Sequence, residues 1–336
     1  MIKYLGSKRT LLPQILAAVE TLGPVRSVID PFSGTARVGH ALKGAGYQVF
    51  SSDHNRYAAT LARCYVQADR ASVAADCVTL LAELQALPGE DGWFTETYCR
   101  KSRYFQPHNG AKIEAIRNRI TALGLEPDRE AVVLVALMEA ADRVDSTTGV
   151  QMAYLKQWSH RSHNQLELRL PAVLERPQHG ACEASEGDAL ESVQRVSADV
   201  AYLDPPYNQH KYLGNYHVWE TLVRWDQPEV YGIAQKRIDC RDRQSDFNSK
   251  VRAKQALQAV VTAAKVRHFV VSFSDEGFLS RDELVAMLSE RGEVEALSHD
   301  FKRYVGAQIG IYNPGGQKVG KVSHLRNTEW LFVVRG

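Results

Sequence analysis

The feature that most constrains the fold is a short apolar run that ends abruptly in an acid and two prolines. The run Val200–Leu203 leads directly into Asp204, Pro205, Pro206 and Tyr207. Proline fixes its own φ, has no N–H to donate and keeps the preceding residue out of a helix. We therefore predict that Asp204 stands rigidly at the carboxyl end of a buried strand, where open α/β sheets bind ligands.

This turn is also suited to one kind of chemistry. An exocyclic amine on a purine or cytosine is a weak nucleophile, because its lone pair is delocalised into the ring. An enzyme that alkylates it must direct both N–H bonds to acceptors, and a carboxylate beside a carbonyl on a rigid turn provides two. The Tyr207 ring can stack on a base taken out of a duplex. The competing interpretation is a buried Pro-Pro turn with a capping acid.

An earlier segment predicts the architecture around this turn. Residues 25–29 are typical of a strand that runs into the loop 30–35, and a helix is expected over 36–45. A second strand over 47–53 again ends in an acid, Asp53. A strand, loop, helix and strand in this order are the beginning of a parallel, doubly wound α/β sheet.

The loop after the first strand is rich in small residues, as in a site where a ligand approaches the backbone. It consists of Asp30, Pro31, Phe32, Ser33, Gly34 and Thr35. The loop is neither a GxGxxG fingerprint nor a phosphate-binding P-loop. Its leading acid would repel a pyrophosphate and suits a ligand that carries positive charge. The alternative is an ordinary turn in which a Ser or Thr caps the next helix.

Two further acids have two interpretations each. Asp53 follows the second strand, where an acid in nucleoside-binding α/β proteins holds ribose hydroxyls. Asp188 lies in a Gly-Asp turn. Either carboxylate can instead cap the helix that follows it.

The middle of the chain has a different character. Residues 67–183 show helical spacing, for example at Ile113, Ile116 and Ile120, and basic residues are interleaved with aromatic ones. Strand patterns return later, at 268–273, 294–297 and 330–334, and the glycine-rich span 306–320 is expected to be a loop. We predict a sheet domain formed by 1–66 and 184–336, with a mainly helical insertion over 67–183.

Composition excludes several classes of protein. The five cysteines are scattered and form no C-x-x-C, so neither a disulfide framework nor a zinc site is expected, and a reducing cytoplasm fits. His160 and His163 have no further ligands nearby in sequence, so no metal is expected. A net charge of +2 and 44% apolar residues are ordinary for a soluble globular protein, and no apolar run is long enough for a membrane helix.

Together these motifs resemble the α-type, D12-class adenine-N6 DNA methyltransferases that contain a DPPY motif. The resemblance covers nearly the whole chain and rests on segments that occur in the order expected for that family. They are Tyr4–Arg9, Asp30–Thr35, Ser52–Asn55, Asp188–Leu190, Asp204–Tyr207 and 208–221. One departure is Ala36, which stands where a glycine is common.

The resemblance implies a Rossmann-like class I methyltransferase sheet, S-adenosylmethionine as cofactor and a target-recognition insertion. Tyr4 and Lys8 would contact the methionine end of the cofactor, and the Asp30 loop its amino and sulfonium groups. The full implied cofactor set is Tyr4, Lys8, Asp30, Pro31, Phe32, Ser33, Gly34, Thr35, Asp53, His54, Asp188, Ala189 and Asp204.

The implied catalytic residues are Asp204, Pro205, Pro206 and Tyr207. Asp204 and the Pro205 carbonyl would accept the protons of the target amine, and Tyr207 would stack on the flipped base. Asp204 need not be a strong base, because proton loss can follow methyl transfer.

Basic residues of the insertion and of a later loop are the candidates for contact with double-stranded DNA. They are Arg100, Lys101, Arg103, Lys112, Lys156, Arg161, Lys236 and Arg237, with Arg117, Arg119, Arg241 and Arg243 nearby. For any single one, a solvated surface charge is the competing interpretation. A cognate restriction endonuclease is a candidate partner, and no membrane partner is expected.

Three alternatives stay open at this point. The same fold could act on cytosine N4 or on RNA adenine. The chain could be a DNA-binding protein without catalysis, although the intact acid, prolines and tyrosine argue against it. A nicotinamide-dependent enzyme is disfavoured because GxGxxG is missing.

Overall fold

The computed structural model describes residues 1–209, 211–302, 311–312, 318–320 and 326–336. Its strands form one large sheet and two small antiparallel pairs. The strands are β1 (Ser27–Asp30), β2 (Gln48–Asp53), β3 (Glu183–Glu186), β4 (Val200–Leu203), β5 (Val230–Tyr231), β6 (Lys236–Arg237), β7 (His268–Ser274), β8 (Glu293–Lys302), β9 (Ile311–Tyr312), β10 (Lys318–Gly320) and β11 (Arg326–Arg335).

The large sheet has the strand order β3-β2-β1-β4-β7-β11-β8. Strands β3, β2, β1, β4 and β7 are parallel, and β11 runs antiparallel to both of its neighbours. Strands β2 and β3 follow on one side of β1, and β4 pairs with the other side of β1, with Ile29 opposite Ala201. This is a topological switch point, where the carboxyl ends of the strands leave a crevice. The predicted mixed α/β sheet of the Rossmann-like type is confirmed.

Helices cover both faces of the sheet. They are α1 (Leu12–Glu20), α2 (Arg37–Gly44), α3 (Arg56–Ala62), α4 (Arg70–Ala86), α5 (Trp93–Thr95), α6 (Pro107–Leu123), α7 (Pro127–Val144), α8 (Ala189–Arg195), α9 (Tyr212–Asn215), α10 (His217–Arg224), α11 (Asp239–Asp242), α12 (Ala253–Ala263) and α13 (Arg281–Leu288). Helices α3 and α5 each continue into a π-helical segment, at Arg63–Gln67 and Glu96–Arg100.

Strand β4 explains why the sheet is buried on both faces. Val200 and Tyr202 point into the apolar core that contains α1 and α7, whereas Ala201 and Leu203 point into the core that contains α12 and α13. Alternate side chains of a strand face opposite sides, so a continuous apolar run requires cover on both. The described part of segment 67–182 is helical or irregular, and most of its buried apolar side chains belong to the first of these cores.

Several short strands are absent from the sequence prediction. β3 lies at the sheet edge and is polar, so the Glu183–Glu186 segment has no apolar run to indicate it. The β5–β6 hairpin lies where a basic loop was expected. The prediction of a loop over 306–320 is wrong where β9 pairs with β10, and the rest of that span lies outside the described residues. Two-residue strands are too short for a period of two to be visible.

Candidate active site

A cleft with about 830 Å³ of empty space opens at the carboxyl ends of β1, β2 and β4. The cleft brings together all thirteen of the predicted cofactor residues and part of the predicted catalytic turn. Its lining includes Tyr4, Lys8, Asp30, Pro31, Phe32, Ser33, Gly34, Thr35, Asp53, His54, Asp188, Ala189, Asp204 and Pro206, and also Gly6, Ser7, Arg37, Tyr202, Tyr212, Ser245 and Phe247.

Asp30, the last residue of β1, is buried at the base of this cleft. The Phe32 N–H donates to its Oδ1 at 3.4 Å. Burial is the main cause that raises the pKa of Asp30 well above its ordinary range, and the charges of Asp204 and Asp53 add to the shift. Because burial disfavours the charged form of Asp30, a cationic ligand in the cleft would stabilise its carboxylate.

The loop after Asp30 does not cap the helix that follows it. Helix α2 has no side-chain cap, so the alternative in which a Ser or Thr of this loop caps it is not fulfilled. Ser33 is buried, and its hydroxyl has no hydrogen-bond partner among the described residues. An uncapped helix start and an unpaired buried hydroxyl at one cleft are groups that a bound ligand can satisfy.

Ala36 makes the junction between this loop and α2. Its φ is 58° and its ψ is 17°, in the left-handed region that favours glycine. Its methyl group is fully buried. The structure thus gives a conformational reason why a glycine is common at this position.

The two other acids both line the cleft, but only Asp188 caps the helix that follows it. Asp53 accepts hydrogen bonds from the Gly34 N–H at 3.0 Å and from the Asn55 N–H at 2.9 Å, so it attaches the loop 30–35 to the end of β2. Asp188 caps α8 through the Leu190 N–H at 2.8 Å. Both carboxylates also line the cleft.

A stack of three tyrosines forms one wall of the cleft. The Tyr4 ring lies 4.5 Å from that of Tyr216 and 5.3 Å from that of Tyr212, nearly parallel to both. The Tyr216 hydroxyl accepts a hydrogen bond from the Leu5 N–H at 2.6 Å. The N-terminal segment is thereby attached to the segment that follows the Asp-Pro-Pro-Tyr turn.

Lys8 lies deeper in the cleft, between two carboxylates. Its Nζ is 3.0 Å from Asp204 Oδ1 and also forms a short ion pair with Glu329 Oε1. Burial alone would lower the pKa of Lys8, but the two acids outweigh it and raise that pKa. The structure therefore places the Lys8 ammonium at the Asp204 turn, whereas the resemblance implied contact with the methionine end of the cofactor.

Glu329 is a residue beside the cleft that sequence reasoning missed. It lies on β11, far from every motif, in the segment Thr328–Trp330, where a charged residue in a strand suggests a solvent-facing position. Its place at the site is visible only from its ion pair with Lys8, and no local sequence pattern predicts that contact.

Asp204 and Tyr207 follow β4 as predicted. The Asp204 side chain is 21% exposed. Burial raises its pKa to about 6, with Lys8 lowering and Glu329 raising it in addition. The Tyr207 ring is half-buried, 6.0 Å from the Phe273 ring, and the Tyr207 carbonyl accepts from the Phe278 N–H at 2.9 Å. The turn is thus fixed on the adjacent strand β7.

The predicted DNA contacts fall into two groups. In the first, the cation already has protein partners. Lys112 donates to the Gln85 and Leu87 carbonyls, Arg117 to those of Leu222 and Val223, Arg161 pairs with Asp145, and Arg237 with Asp226 and Asp239.

The second group lies nearer the surface. Lys101 and Lys156 are exposed, Arg100 pairs with Asp91 at an exposed position, and Lys236 is half-buried. The Arg103 guanidinium lies 5.6 Å from the centre of the Tyr154 ring. These residues keep charge available to an anionic partner.

Fold and site together define a class: an α/β enzyme with an acid-lined nucleoside-type cleft and an Asp-Pro-Pro-Tyr turn at its switch point. Residues 4–287 match the D12 class N6 adenine-specific DNA methyltransferase family. The chain belongs to this family, whose members use S-adenosylmethionine.

Similar proteins come from several bacteria. The chain is 30% identical over 328 residues to the modification methylase StsI of Streptococcus sanguinis. The aligned region is 92% of this chain and 50% of that protein. It is 29% identical to the type II methyltransferase M.FokI of Planomicrobium okeanokoites, over 87% of this chain and 47% of that protein. The chain thus spans about half the length of these two curated relatives.

Another relative has a similar length. The type II methyltransferase M.NlaIII of Neisseria lactamica is 27% identical over 315 residues, which are 90% of this chain and 92% of that protein. Among the described helices, none has both the length and the apolar character needed to cross a bilayer.

Proposed function

We propose that this protein transfers a methyl group from S-adenosylmethionine to the N6 amine of an adenine in double-stranded DNA. The observation that carries the proposal is the Asp204 turn, which ends β4 beside the acid-lined cleft at the switch point of the sheet. Membership of the D12 class supports the adenine N6 assignment.

The cleft residues fit the proposed cofactor. Asp30, Asp53 and Asp204 place three carboxylates around it, which suits a ligand with a sulfonium and an ammonium. The free N–H groups at the start of α2 and the unpaired Ser33 hydroxyl suit its carboxylate or hydroxyl oxygens. When bound, S-adenosylmethionine supplies an electrophilic methyl group whose bonding electrons stay with sulfur.

The turn after β4 would hold the target amine. An oxygen of Asp204 and the Pro205 carbonyl accept its two N–H groups, so that the nitrogen lone pair is turned towards the methyl group. Tyr207 stacks on the base that has left the duplex. The amine gains the methyl group and gives up one proton.

Segment 67–183 would be the target-recognition insertion, with 1–66 and 184–336 as the catalytic domain. Exposed cations such as Lys101 and Lys156 would contact phosphates. Because its relatives include modification methylases, we place the protein in the cytoplasm, with a cognate restriction endonuclease as a candidate partner.

The test is base-resolved sequencing of DNA incubated with the protein and S-adenosylmethionine. We expect N6-methyladenine in one sequence context, and modified cytosine would instead favour the N4 alternative. Asp204→Ala should lower the methylation rate at least about a hundredfold, because one amine acceptor is lost. Calorimetry should show that the variant still binds cofactor. Near-normal turnover of Asp204→Ala would refute the assigned role.

A further inference from the structure

The candidate catalytic acid shares its cation with a glutamate on β11, two strands away from β4 in the sheet. Lys8 Nζ contacts both Asp204 Oδ1 and Glu329 Oε1, and the Lys8 and Glu329 side chains are only 7% and 13% exposed. The Ser272 hydroxyl on β7 donates to Glu329 Oε1 at 2.8 Å and holds this carboxylate in place. The contact is therefore built into the sheet.

The charges of this cluster do not cancel. One ammonium faces two carboxylates, so the cluster keeps a net negative charge where water is largely excluded. A lysine that paired with Asp204 alone would neutralise it and make it a poorer acceptor. Glu329 opposes this effect, since its charge raises the pKa of Asp204 while that of Lys8 lowers it.

We propose that Glu329 is a positioning residue for methyl transfer. It draws the Lys8 ammonium into a shared position, so that Lys8 pairs with one oxygen of Asp204 and leaves the other to the target amine. The remaining negative charge of the cluster also favours the positive charge that develops on the amine nitrogen. This inference rests on the proposed function of Asp204.

The rival explanation is structural: Glu329 only compensates a buried lysine. Removing the charge of Glu329 lowers the Asp204 pKa under either explanation, because a nearby negative charge is lost. The two explanations differ in the rate of methyl transfer. If Glu329 only stabilises the fold, its loss lowers stability but leaves the plateau methylation rate near that of wild type, whereas if it positions Lys8, that rate falls.

The first measurement is the carboxyl titration of Asp204 by carbon-13 NMR in the ligand-free protein. Wild type should titrate near 6, and Glu329→Gln should titrate lower by about 1 pH unit or more. Glu329→Asp, which keeps the charge, should stay near wild type. The matched control is Glu295→Gln on the neighbouring strand β8. Glu295 forms a surface ion pair with Arg335 of β11. This substitution should not move the Asp204 titration.

The second measurement is the single-turnover methylation rate as a function of pH. Protonated Asp204 loses an acceptor, so the wild-type rate should fall as the pH drops through about 6. In Glu329→Gln this acid limb should move to lower pH, and the plateau rate should fall about tenfold or more. Glu329→Asp should keep the wild-type limb and recover part of the rate.

A plateau rate of Glu329→Gln near that of wild type, or an unmoved Asp204 titration, would overturn the proposal. If that variant does not fold, the wild type decides: an Asp204 pKa at or below the ordinary value of about 4 would mean that Lys8 pairs with it fully. The titration needs no turnover. A protein without methyltransferase activity would therefore refute the proposed function, and the titration would still test the charge coupling between Glu329 and Asp204.

Discussion

At the scale of single residues, the cleft depends on side chains held in costly states. Asp30 and Asp204 are carboxylates whose pKa values burial raises, and Ala36 has a left-handed backbone without being glycine. Such states persist at functional sites because the surrounding structure determines them. The cost at Ala36 can be measured directly.

Replacing Ala36 by glycine should leave stability within about 0.5 kcal/mol of wild type. Relief of the left-handed strain, about 1–2 kcal/mol, offsets the loss of a buried methyl, about 0.8 kcal/mol, and the extra chain entropy of glycine. The control is Ala41→Gly, within the same helix, where no strain is relieved and a loss of about 1 kcal/mol is expected. Urea unfolding compares the two, and equal losses would argue against strain at Ala36.

At the scale of elements, α10 connects the segment after the Asp204 turn to α3, which follows β2, and to α6. Glu220, buried within α10, accepts hydrogen bonds from the Tyr57 and Arg56 N–H groups at the start of α3, at 2.9 and 3.3 Å. Near the C-terminal end of α10, the Arg117 guanidinium from α6 donates to the Leu222 and Val223 carbonyls, at 2.8 and 2.9 Å. An arginine predicted to contact DNA is therefore a helix cap.

We expect Arg117→Met to destabilise the protein by about 2–3 kcal/mol, because two carbonyls lose a charged donor in a buried position. Burial already lowers the pKa of Arg117 to about 10. Arg119→Met, an exposed position on the same helix, should change stability by less than about 0.5 kcal/mol. Urea unfolding gives both values. A stable Arg117→Met variant with weakened DNA binding would restore the original assignment.

The same element shows what sequence can predict. Strands β4 and β7 are mostly apolar because both of their faces are buried, so their positions could be predicted. Strands β1 and β2 have shorter apolar pairs before their terminal acids, so those acids could be located as well. The ends of α10 are held by Arg117 and by contacts to α3 from distant parts of the chain. A basic side chain looks the same in sequence whether it faces a carbonyl or a phosphate. Charge alone therefore could not assign Lys112, Arg117 or Arg237.

At the scale of the whole molecule, the proposed DNA surface depends on cations that remain exposed. Lys101 follows the π-helical segment Glu96–Arg100, and Lys156 lies in the irregular segment after α7. Both belong to the helical part of the chain that packs on one face of the sheet, whereas Lys254 on α12 belongs to the other face.

Substituting Lys101 or Lys156 by glutamine should reduce the log–log salt dependence of DNA binding by about 0.9 for each lost phosphate contact. Lys254→Gln, which removes a cation paired with Glu283 on the opposite face, should leave the slope unchanged. Fluorescence titrations over a range of salt concentrations provide the slopes. An effect of Lys254→Gln equal to the others would move the DNA surface to the α12 face.

The contact between Lys8 and Glu329 joins residues 321 positions apart, and this has a consequence for the order of synthesis. The cofactor loop and the Asp204 turn leave the ribosome long before β11, which must then enter the sheet between β7 and β8. Until it does, Lys8 has Asp204 as its acidic partner without Glu329. The charge balance of the site is therefore completed only when β11 is in place.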